Sequence, residues 1–378
     1  MKTKILLLYL NTGGGHLAPA KAIAKSLNKK YGENVEPILI NGFEKTNKLI
    51  KLIVEDGYGF AQTNVKWFYE MLYGINKINF FGKSTINTVS YFSKEYLQQI
   101  IVDEKPDKIL ILHAFLIKPV HEIINELGLK ISVLTLVTDP FSPAPLWFFN
   151  KNMHYIMYSH EINNKKLLND IDKNHIHCFP FPLDEKFSRN LSSDEINTIR
   201  AKYGFLLDKK LVLIIGGADG IPKGKKILKK LLKKNKDIQV AIVCGRNKKL
   251  MQKASKLKDK LNLTNLTIYG YIDFVYELVN ISDIVITKGG TSTIMEILIS
   301  GKVPIINDYI WEQEKGNVEF VTHNNLGLYE SNPERIADFV FNMSQENNQF
   351  KLLKKNHSKL SIENGTDQIS KFIYEFSA

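Results

Sequence analysis

The sequence predicts an α/β protein made of two doubly wound halves, each with its own parallel sheet. Short apolar runs suited to buried strands alternate with segments of helical period. The β-α pattern starts twice, at residues 4–10 and 211–215, and a glycine-rich turn follows each of these strands. The chain has 378 residues, which is long for a single core, so two domains are expected.

The first half opens as a β-α-β unit. Residues 4–10 form the first strand, a glycine loop follows, and Ala20, Ile23 and Leu27 then line one face of a helix. Residues 43–100 are rich in aromatics and lysines and are predicted to form amphipathic helices with long loops. Further strands are expected at residues 35–40, 109–112, 131–137, 155–158 and 176–179.

A linker is expected between the halves, because Phe179-Pro180-Phe181-Pro182 precedes a charged stretch at residues 184–199. We place the first domain at residues 1–185 and the second at 195–359, and we expect a C-terminal helix at 360–378 to pack back on the first. Strands of the second half are expected at residues 211–215, 238–244, 266–269 and 284–286, with helices between them and through 332–376.

Residues 283–320 form the most informative stretch. A short strand leads into Gly289-Gly290, and the hydroxyl residues that follow open a helix. The free N–H groups and the dipole of such a helix start favour a phosphate. The alternative is a plain cap, in which Thr293 and Glu296 form a capping box. A polar loop at 312–317 follows the next strand and favours a ligand at this edge.

Two other glycine turns carry candidate chemistry. In Gly13-Gly14-Gly15-His16 the histidine is a candidate general base, the alternative being a flexible turn with a solvent-exposed histidine. Gly216-Gly217 is similar to a dinucleotide fingerprint but lacks its spacing. Arg246, in a later turn, offers a cation for a diphosphate or is simply part of a polar turn.

Composition limits the location and partners. The net charge of +12 favours anionic partners, although a lysine-rich composition explains it equally well. The two cysteines show no metal or redox spacing, and no run of about 20 apolar residues occurs, so a cytoplasmic protein without a membrane-spanning helix is expected. The lysine-rich helix near residues 223–236 is interpreted as a solvated face. Phe80-Phe81, close to Lys77 and Lys83, is a membrane contact or ordinary core.

Three groups of motifs resemble one enzyme family. They are Asn11-Thr12-Gly13-Gly14-Gly15-His16, then Val243-Cys244-Gly245-Arg246-Asn247 with Gly270-Tyr271, and finally Ile286-Thr287-Lys288-Gly289-Gly290-Thr291-Ser292-Thr293-Ile294-Met295-Glu296 with Trp311-Glu312-Gln313-Glu314-Lys315-Gly316-Asn317. The chain is similar to the monogalactosyldiacylglycerol synthase and processive diacylglycerol glucosyltransferase group of glycosyltransferase family 28. The order and spacing of the motifs agree over most of the chain.

The resemblance implies a GT-B fold, with the two Rossmann-like domains facing a central cleft, the acceptor on the first and a UDP-sugar on the second. It implies inversion at the sugar carbon, with no metal or other cofactor required. His16 or Asp139 would be catalytic. The implied donor-binding residues are Gly14, Gly15, Gly217, Arg246, Tyr271, Ile272, Gly290, Thr291, Ser292, Glu296, Gln313, Glu314 and Asn317. The candidate membrane or acceptor contacts are Trp67, Phe80, Phe81, Trp147 and Phe148.

Two departures from the family pattern affect the prediction. No histidine lies between Asp139 and Trp147, which leaves a sterol acceptor open beside diacylglycerol. Glu312 replaces a usual glycine, next to residues expected to read the sugar. We predict transfer of galactose or glucose from a UDP-sugar to a membrane lipid hydroxyl, by an enzyme peripheral to the inner face of the cell membrane. The alternatives are a UDP-N-acetylglucosamine transferase or epimerase, or a non-catalytic nucleotide- or lipid-binding protein.

Overall fold

The computed structural model describes residues 2–12, 14–46, 79–158, 165–310, 312–345, 347–360 and 362–377, with the side chains of 79–84 and 165 excepted. The chain forms two compact units. The first comprises Met1–Glu185, Ile310–Gly316 and Asn364–Ala378, and the second comprises Lys186–Tyr309 and Asn317–Glu363.

The first unit contains a six-stranded parallel sheet with the strand order β2-β1-β3-β4-β5-β6. Ile5 and Leu7 of the first strand pack into the core on one face of the sheet, and Leu6 and Leu8 pack into the core on the other. This alternation explains why the strand is apolar throughout. Its elements are β1 Thr3–Tyr9, α1 Gly14–Tyr31, β2 Val35–Asn41, α2 Asn79–Glu104, β3 Lys108–Ile111, α3 Ile117–Leu127, β4 Ser132–Leu136, β5 His154–Met157 and β6 Ile176–Cys178.

The second unit repeats this architecture with the strand order β12-β11-β10-β7-β8-β9, all parallel. The predicted α/β fold of two doubly wound sheets is therefore confirmed. The elements are α4 Ser193–Lys202, β7 Leu211–Ile215, α5 Gly224–Lys234, β8 Gln239–Val243, α6 Lys248–Lys260, β9 Leu266–Tyr269, α7 Val275–Ile281, β10 Ile284–Lys288, α8 Thr291–Ile299, β11 Val303–Asp308, α9 Lys315–His323, β12 Leu328–Tyr329, α10 Pro333–Ser344 and α11 Asn348–Leu360.

Each sheet has one point where the winding reverses, and ligands of open α/β sheets bind beyond the strand ends there. In the first unit this point lies between β1 and β3, and in the second between β7 and β10. The loops that leave these four strands are the glycine turn before His16, the turn at His113, the Gly216-Gly217 turn and the Gly289-Gly290 turn.

The stretch predicted as a linker is largely ordered structure. Ser192 caps α4 through a reciprocal bond pair with Glu195, and buried Arg200 of this helix donates to the Ile281 carbonyl. The sequence does contain a signal for a helix start, a serine followed three residues later by a glutamate. The high charge of the stretch had instead favoured a linker. The prediction that residues 184–199 are a linker is wrong over α4.

The last helix, α12 Thr366–Glu375, belongs to the first unit and packs against α1. The rings of Tyr31 and Tyr374 stack with centroids 4.2 Å apart. Lys108 donates to the carbonyls of Ile373 and Tyr374, two of the otherwise unpaired acceptors at the helix end. The aromatic-rich region expected to be helical is described from residue 79 onward as α2, and residues 47–78 lie outside the described chain.

Candidate functional site

His16 lies in the first turn of α1, at the winding reversal of the first unit, and is buried. Its Nδ1 lies 2.8 Å from the Leu112 carbonyl oxygen and 2.7 Å from the Thr138 hydroxyl. A carbonyl can only accept, so Nδ1 carries the ring proton and Nε2 keeps the lone pair that a general base needs. Burial lowers the pKa of His16 to about 4, so the ring is neutral at physiological pH.

His113, which sequence reasoning did not place in the site, lies beside His16 with ring centroids 4.5 Å apart. Its Nδ1 accepts a hydrogen bond from the Phe115 N–H at 3.2 Å, so its proton is on Nε2. Burial and the nearby His16 hold the pKa of His113 well below its ordinary value. The available signal was its position directly after a strand next to the winding reversal.

Asp139 follows β4 and is held by two side chains of the first unit. Its Oδ2 accepts a hydrogen bond from Trp147 Nε1 at 2.8 Å, and the Gln313 side chain also bonds to it. Burial raises the pKa of Asp139 to about 6, while these two hydrogen bonds oppose the rise. The carboxylate is therefore ionised near neutral pH and can accept a proton there.

Residues 312–316 pack on the loop after β4, within the first unit. The Ser142 hydroxyl donates to the Gln313 carbonyl at 2.7 Å, and the Gly316 N–H lies 3.3 Å from the same hydroxyl. A Cβ on Gly316 would come within 2.7 Å of the Phe141 side chain, so this close approach requires glycine. The buried Glu314 carboxylate accepts from the Ile310 N–H at 2.8 Å. The predicted polar loop at 312–317 is thus partly helical, because α9 begins at Lys315.

The corresponding reversal in the second unit is lined by Gly217 and Lys288. Gly217 has a φ of 79°, and a Cβ built on it would have the Lys288 Cε as its neighbour at 4.0 Å. The pairing of β10 with β11 shifts register between Thr287 and Lys288, and such bulges redirect side chains at strand ends. Lys288 therefore brings a cation to the turn that precedes α8.

The start of α8 presents unused donors. Its N-cap is Gly290, which has no side chain to cap the first turn, and the buried Ser292 hydroxyl has no partner among the described residues. Asn317 instead holds the turn from behind, donating to the Gly289 carbonyl at 2.8 Å and to the Thr291 hydroxyl at 3.0 Å. Open N–H groups with an unpaired hydroxyl are the features of a phosphate site.

Glu296 lies within α8, and its role as a capping residue is excluded. The capping box requires Thr293 as N-cap, but Thr293 is the third residue of the helix. Burial raises the pKa of the Glu296 carboxyl to about 8, and the ammonium of Lys186 opposes that rise. The ligand-free protein thus holds a protonated carboxyl that can bond to a hydroxyl as donor or acceptor.

Arg246 and Tyr271 form a flat, accessible surface at the ends of β8 and β9. The guanidinium lies 5.4 Å from the Tyr271 ring centroid, and Tyr271 is 65% exposed. Ile272 packs partly into the core beside it. A planar base could stack on such a pair.

The predicted membrane contacts have mixed outcomes. Trp147 and Phe148 are 2% and 4% exposed and belong to the core of the first unit, which argues against a membrane contact at its surface, while their role as acceptor contacts stays a prediction. Trp67 and the side chains of Phe80 and Phe81 lie outside the described chain. No helix among the described residues is long and apolar enough to cross a membrane.

Two family models match the chain. Residues 16–183 match the monogalactosyldiacylglycerol (MGDG) synthase model, and residues 211–370 match the glycosyltransferase family 28 C-terminal domain.

Full-length relatives agree with these models. A processive diacylglycerol β-glucosyltransferase of Bacillus pumilus is 26% identical over 99% of this chain and 95% of its own length. Monogalactosyldiacylglycerol synthase 3 of Arabidopsis thaliana is 28% identical over 99% of this chain and 81% of its own. The crystal structure of Acinetobacter baumannii MurG matches 99% of this chain and 100% of its own, with a TM-score of 0.59 at 15% identity, and supports the GT-B fold. The chain is therefore a glycosyltransferase of the monogalactosyldiacylglycerol synthase and diacylglycerol glucosyltransferase group of family 28, as its motifs predict.

Proposed function

We propose that the protein transfers one hexose, galactose or glucose, from a UDP-sugar to the hydroxyl of diacylglycerol. The observation that carries the donor assignment is the uncapped start of α8, with the unpaired Ser292 hydroxyl one turn before Glu296. This arrangement suits a diphosphate followed by a ribose. The acceptor assignment is supported by the relatives, which are named for diacylglycerol.

The donor would bind in three parts. The uracil stacks at Arg246 and Tyr271, with Ile272 beside it, and the ribose hydroxyls bond to Glu296. The diphosphate meets the N–H groups of the α8 start, the Ser292 and Thr291 hydroxyls and the Lys288 ammonium. Gly217 gives room for this approach, because its position has no side chain.

The sugar would be read by Gln313, whose side chain also contacts Asp139. Glu314 stays a predicted sugar ligand, although its carboxylate closes the loop at Ile310. Asn317 acts indirectly in this proposal, by fixing the turn at Gly289 and Thr291.

The reaction is a single displacement. Asp139, or Nε2 of His16, takes the proton of the lipid hydroxyl while its oxygen attacks C1 of the sugar. The bond from C1 to the UDP oxygen breaks on the opposite face, so the anomeric configuration inverts. UDP departs with its added negative charge at the α8 start and Lys288, an electrostatic role that requires no metal in this proposal. Gly14 and Gly15 would allow the acceptor or sugar to approach His16; no side chain comes within 4 Å of a Cβ built on either.

The test offers three donors to two acceptors. The protein is incubated with labelled UDP-galactose, UDP-glucose or UDP-N-acetylglucosamine, and with diacylglycerol or cholesterol in anionic liposomes, and the labelled product is identified. Labelled glycosyl-diacylglycerol from one hexose donor is expected. Label only in free sugar would favour an epimerase or hydrolase, and label only in the sterol would overturn the acceptor. UDP binding with no transfer to either lipid would indicate a non-catalytic nucleotide-binding protein.

We also propose that the enzyme works as a peripheral protein at the inner face of the cell membrane.

A further inference from the structure

Helices α5 and α6 of the second unit form one continuous basic surface. They follow successive strands β7 and β8, which are neighbours in the sheet, so right-handed crossovers place both helices on the same face. Their first turns are close, because a Cβ on Gly224 would lie 3.1 Å from Leu250 Cδ1. The exposed lysines that define this lysine surface are Lys225, Lys229, Lys233, Lys249, Lys253 and Lys256.

The acidic residues nearby serve only one flank of α5. Lys230 pairs with Glu334 and Lys234 with Asp338, both on α10. The six residues of the lysine surface form no ion pair within the described chain. α5 itself contains no acidic residue, and α6 contains Asp259 alone. The positive charge of the lysine surface is therefore not neutralised by ion pairs among the described residues of this unit.

This arrangement opposes helix stability. Lys225, Lys229 and Lys233 follow one another at a spacing of four residues, where like charges repel. Neither α5 nor α6 has an acidic residue in its first turn, and both have lysines there, which act against the helix dipole. The lysines lower the stability of these helices in the isolated protein. Their presence is explained if they bind an anionic surface that neutralises their charge.

We propose that the lysine surface docks the protein on an anionic lipid bilayer, so that lipid binding involves the second unit as well as the acceptor domain. This inference rests on the proposed function only for the choice of a bilayer as the partner. Clustered lysines beside a membrane are attracted by the negative surface potential, each adding to the affinity. The interpretation of this helix as a solvated face is the alternative against which the proposal is tested.

A nucleic acid fits the surface less well. Neither helix carries an aromatic residue for base stacking or an arginine for bidentate contacts.

A matched pair of variants tests the proposal. K225Q/K229Q/K233Q removes three charges from α5, and K351Q/K355Q/K359Q removes three exposed lysines at the same spacing from α11. Each is measured by co-sedimentation with phosphatidylcholine vesicles containing about 30% phosphatidylglycerol, at about 0.1 M and about 0.5 M NaCl. Thermal unfolding of both variants checks that they fold.

The α5 variant is expected to lower the vesicle partition coefficient at low salt by at least about tenfold. The α11 variant is expected to change it less than about twofold, and high salt should release the wild-type protein. Equal losses in both variants would reduce the effect to net charge and overturn the proposal, as would wild-type binding by the α5 variant. A loss of single-stranded RNA binding with vesicle binding intact would assign the surface to nucleic acid instead.

The failures of the two proposals are distinguishable. If the α5 variant loses vesicle binding but the wild type glycosylates no lipid, the lysine surface stands and the proposed function falls. If transfer to diacylglycerol in detergent micelles is the same for both variants while only the α5 variant fails on anionic vesicles, both stand.

Discussion

Each of the two parallel sheets reverses its winding once, but the side chains at the two reversals have opposite hydrogen-bond states. At the first, His16 is paired with Leu112 and Thr138 and its tautomer is fixed. At the second, the Ser292 hydroxyl is buried without a partner among the described residues and the α8 start is uncapped. A group that moves a proton must be oriented in advance, whereas a group that holds an incoming anion must have its donors unused. The difference separates a proton-transfer site from an anion site within one repeated architecture.

The largest effect is expected from Asp139→Asn, which removes the candidate base while keeping its size. The substitution should lower kcat by about 10²–10⁴-fold, the usual contribution of a general base. In the wild type, kcat/KM should fall as pH drops through about 6, because protonation of the raised-pKa Asp139 carboxyl removes the acceptor. The pH–rate profile measures this, and the variant should lack that limb. A limb near pH 4 in place of 6 would transfer the role to His16.

Lys288→Met tests the charge at the second reversal. Loss of a charged contact to the diphosphate should raise the KM for the UDP-sugar about 10- to 100-fold. Calorimetric titration should show weakened binding of UDP and unchanged binding of uridine, which lacks the phosphates. Lys351→Met, on the exposed face of α11, is the control. Equal weakening for uridine would mean that Lys288 supports the fold of the turn.

Ser292→Ala and Thr138→Val test the difference between the unpaired hydroxyl at the second reversal and the paired histidine at the first. Ser292→Ala removes a hydroxyl that has no partner, so the ligand-free protein should be as stable or more stable, while UDP affinity falls about 5- to 30-fold. Thr138→Val removes the bond to His16 and should cost about 1 kcal/mol of unfolding free energy. Thermal unfolding with and without UDP measures both. Destabilisation by Ser292→Ala of the free protein would contradict the idea of a reserved donor.

Glu296→Gln sharpens the ribose assignment through pH. The folded protein holds the pKa of Glu296 at about 8, above its ordinary value, so the group favours the fold at low pH and this contribution is lost as pH rises from about 4.5 to 8. The variant should match the wild type at about pH 5 and exceed its unfolding free energy by about 1 kcal/mol or more at about pH 9. Its KM for the UDP-sugar should rise. A pH-independent stability difference would show that burial does not strain this carboxyl.

The fold was predictable because its signals are local and repeated. Strands 211–215 and 266–269 were placed at their observed ends, because each is a short, mostly apolar run that polar residues precede and a glycine directly follows. The burial of Trp147 and Phe148 was not predicted, because an aromatic pair after a proline-rich loop is compatible with either a core or a surface. The role of Trp147 as the donor to Asp139 depends on the fold of the whole loop.

The glycine turns of the candidate site could be predicted from the sequence, but the contacts between side chains from different turns could not. The motif indicated His16, but its tautomer comes from Leu112, which is 96 residues away. His113 and Lys288 were not among the predicted site residues, because a sequence does not state which strand ends become neighbours. A capping box at Thr293 was left open as an alternative, because three consecutive hydroxyl residues are all suitable N-caps; in the structure the helix already begins at Thr291.

Glu312 gives the smallest expected effect and tests the family departure. Its φ is 70°, a left-handed conformation that costs a non-glycine residue roughly 1–2 kcal/mol. This backbone conformation explains why the family pattern usually has a glycine here. In this chain the glutamate adopts the same conformation at a cost in folding free energy. Glu312→Gly should stabilise the fold by about 0.5–1 kcal/mol, less than the full strain because glycine gains freedom when unfolded. Glu312→Ala should give no such gain, since alanine keeps the strain.

The same pair of variants separates two ways in which Glu312 could affect sugar choice. If the side chain reads the sugar, both variants should change the ratio of galactose to glucose transfer. If the strained backbone acts by fixing the neighbouring Gln313 against Asp139, only Glu312→Gly should change that ratio. Competition between the two labelled donors measures it, and an unchanged ratio in both variants would leave Glu312 outside sugar recognition.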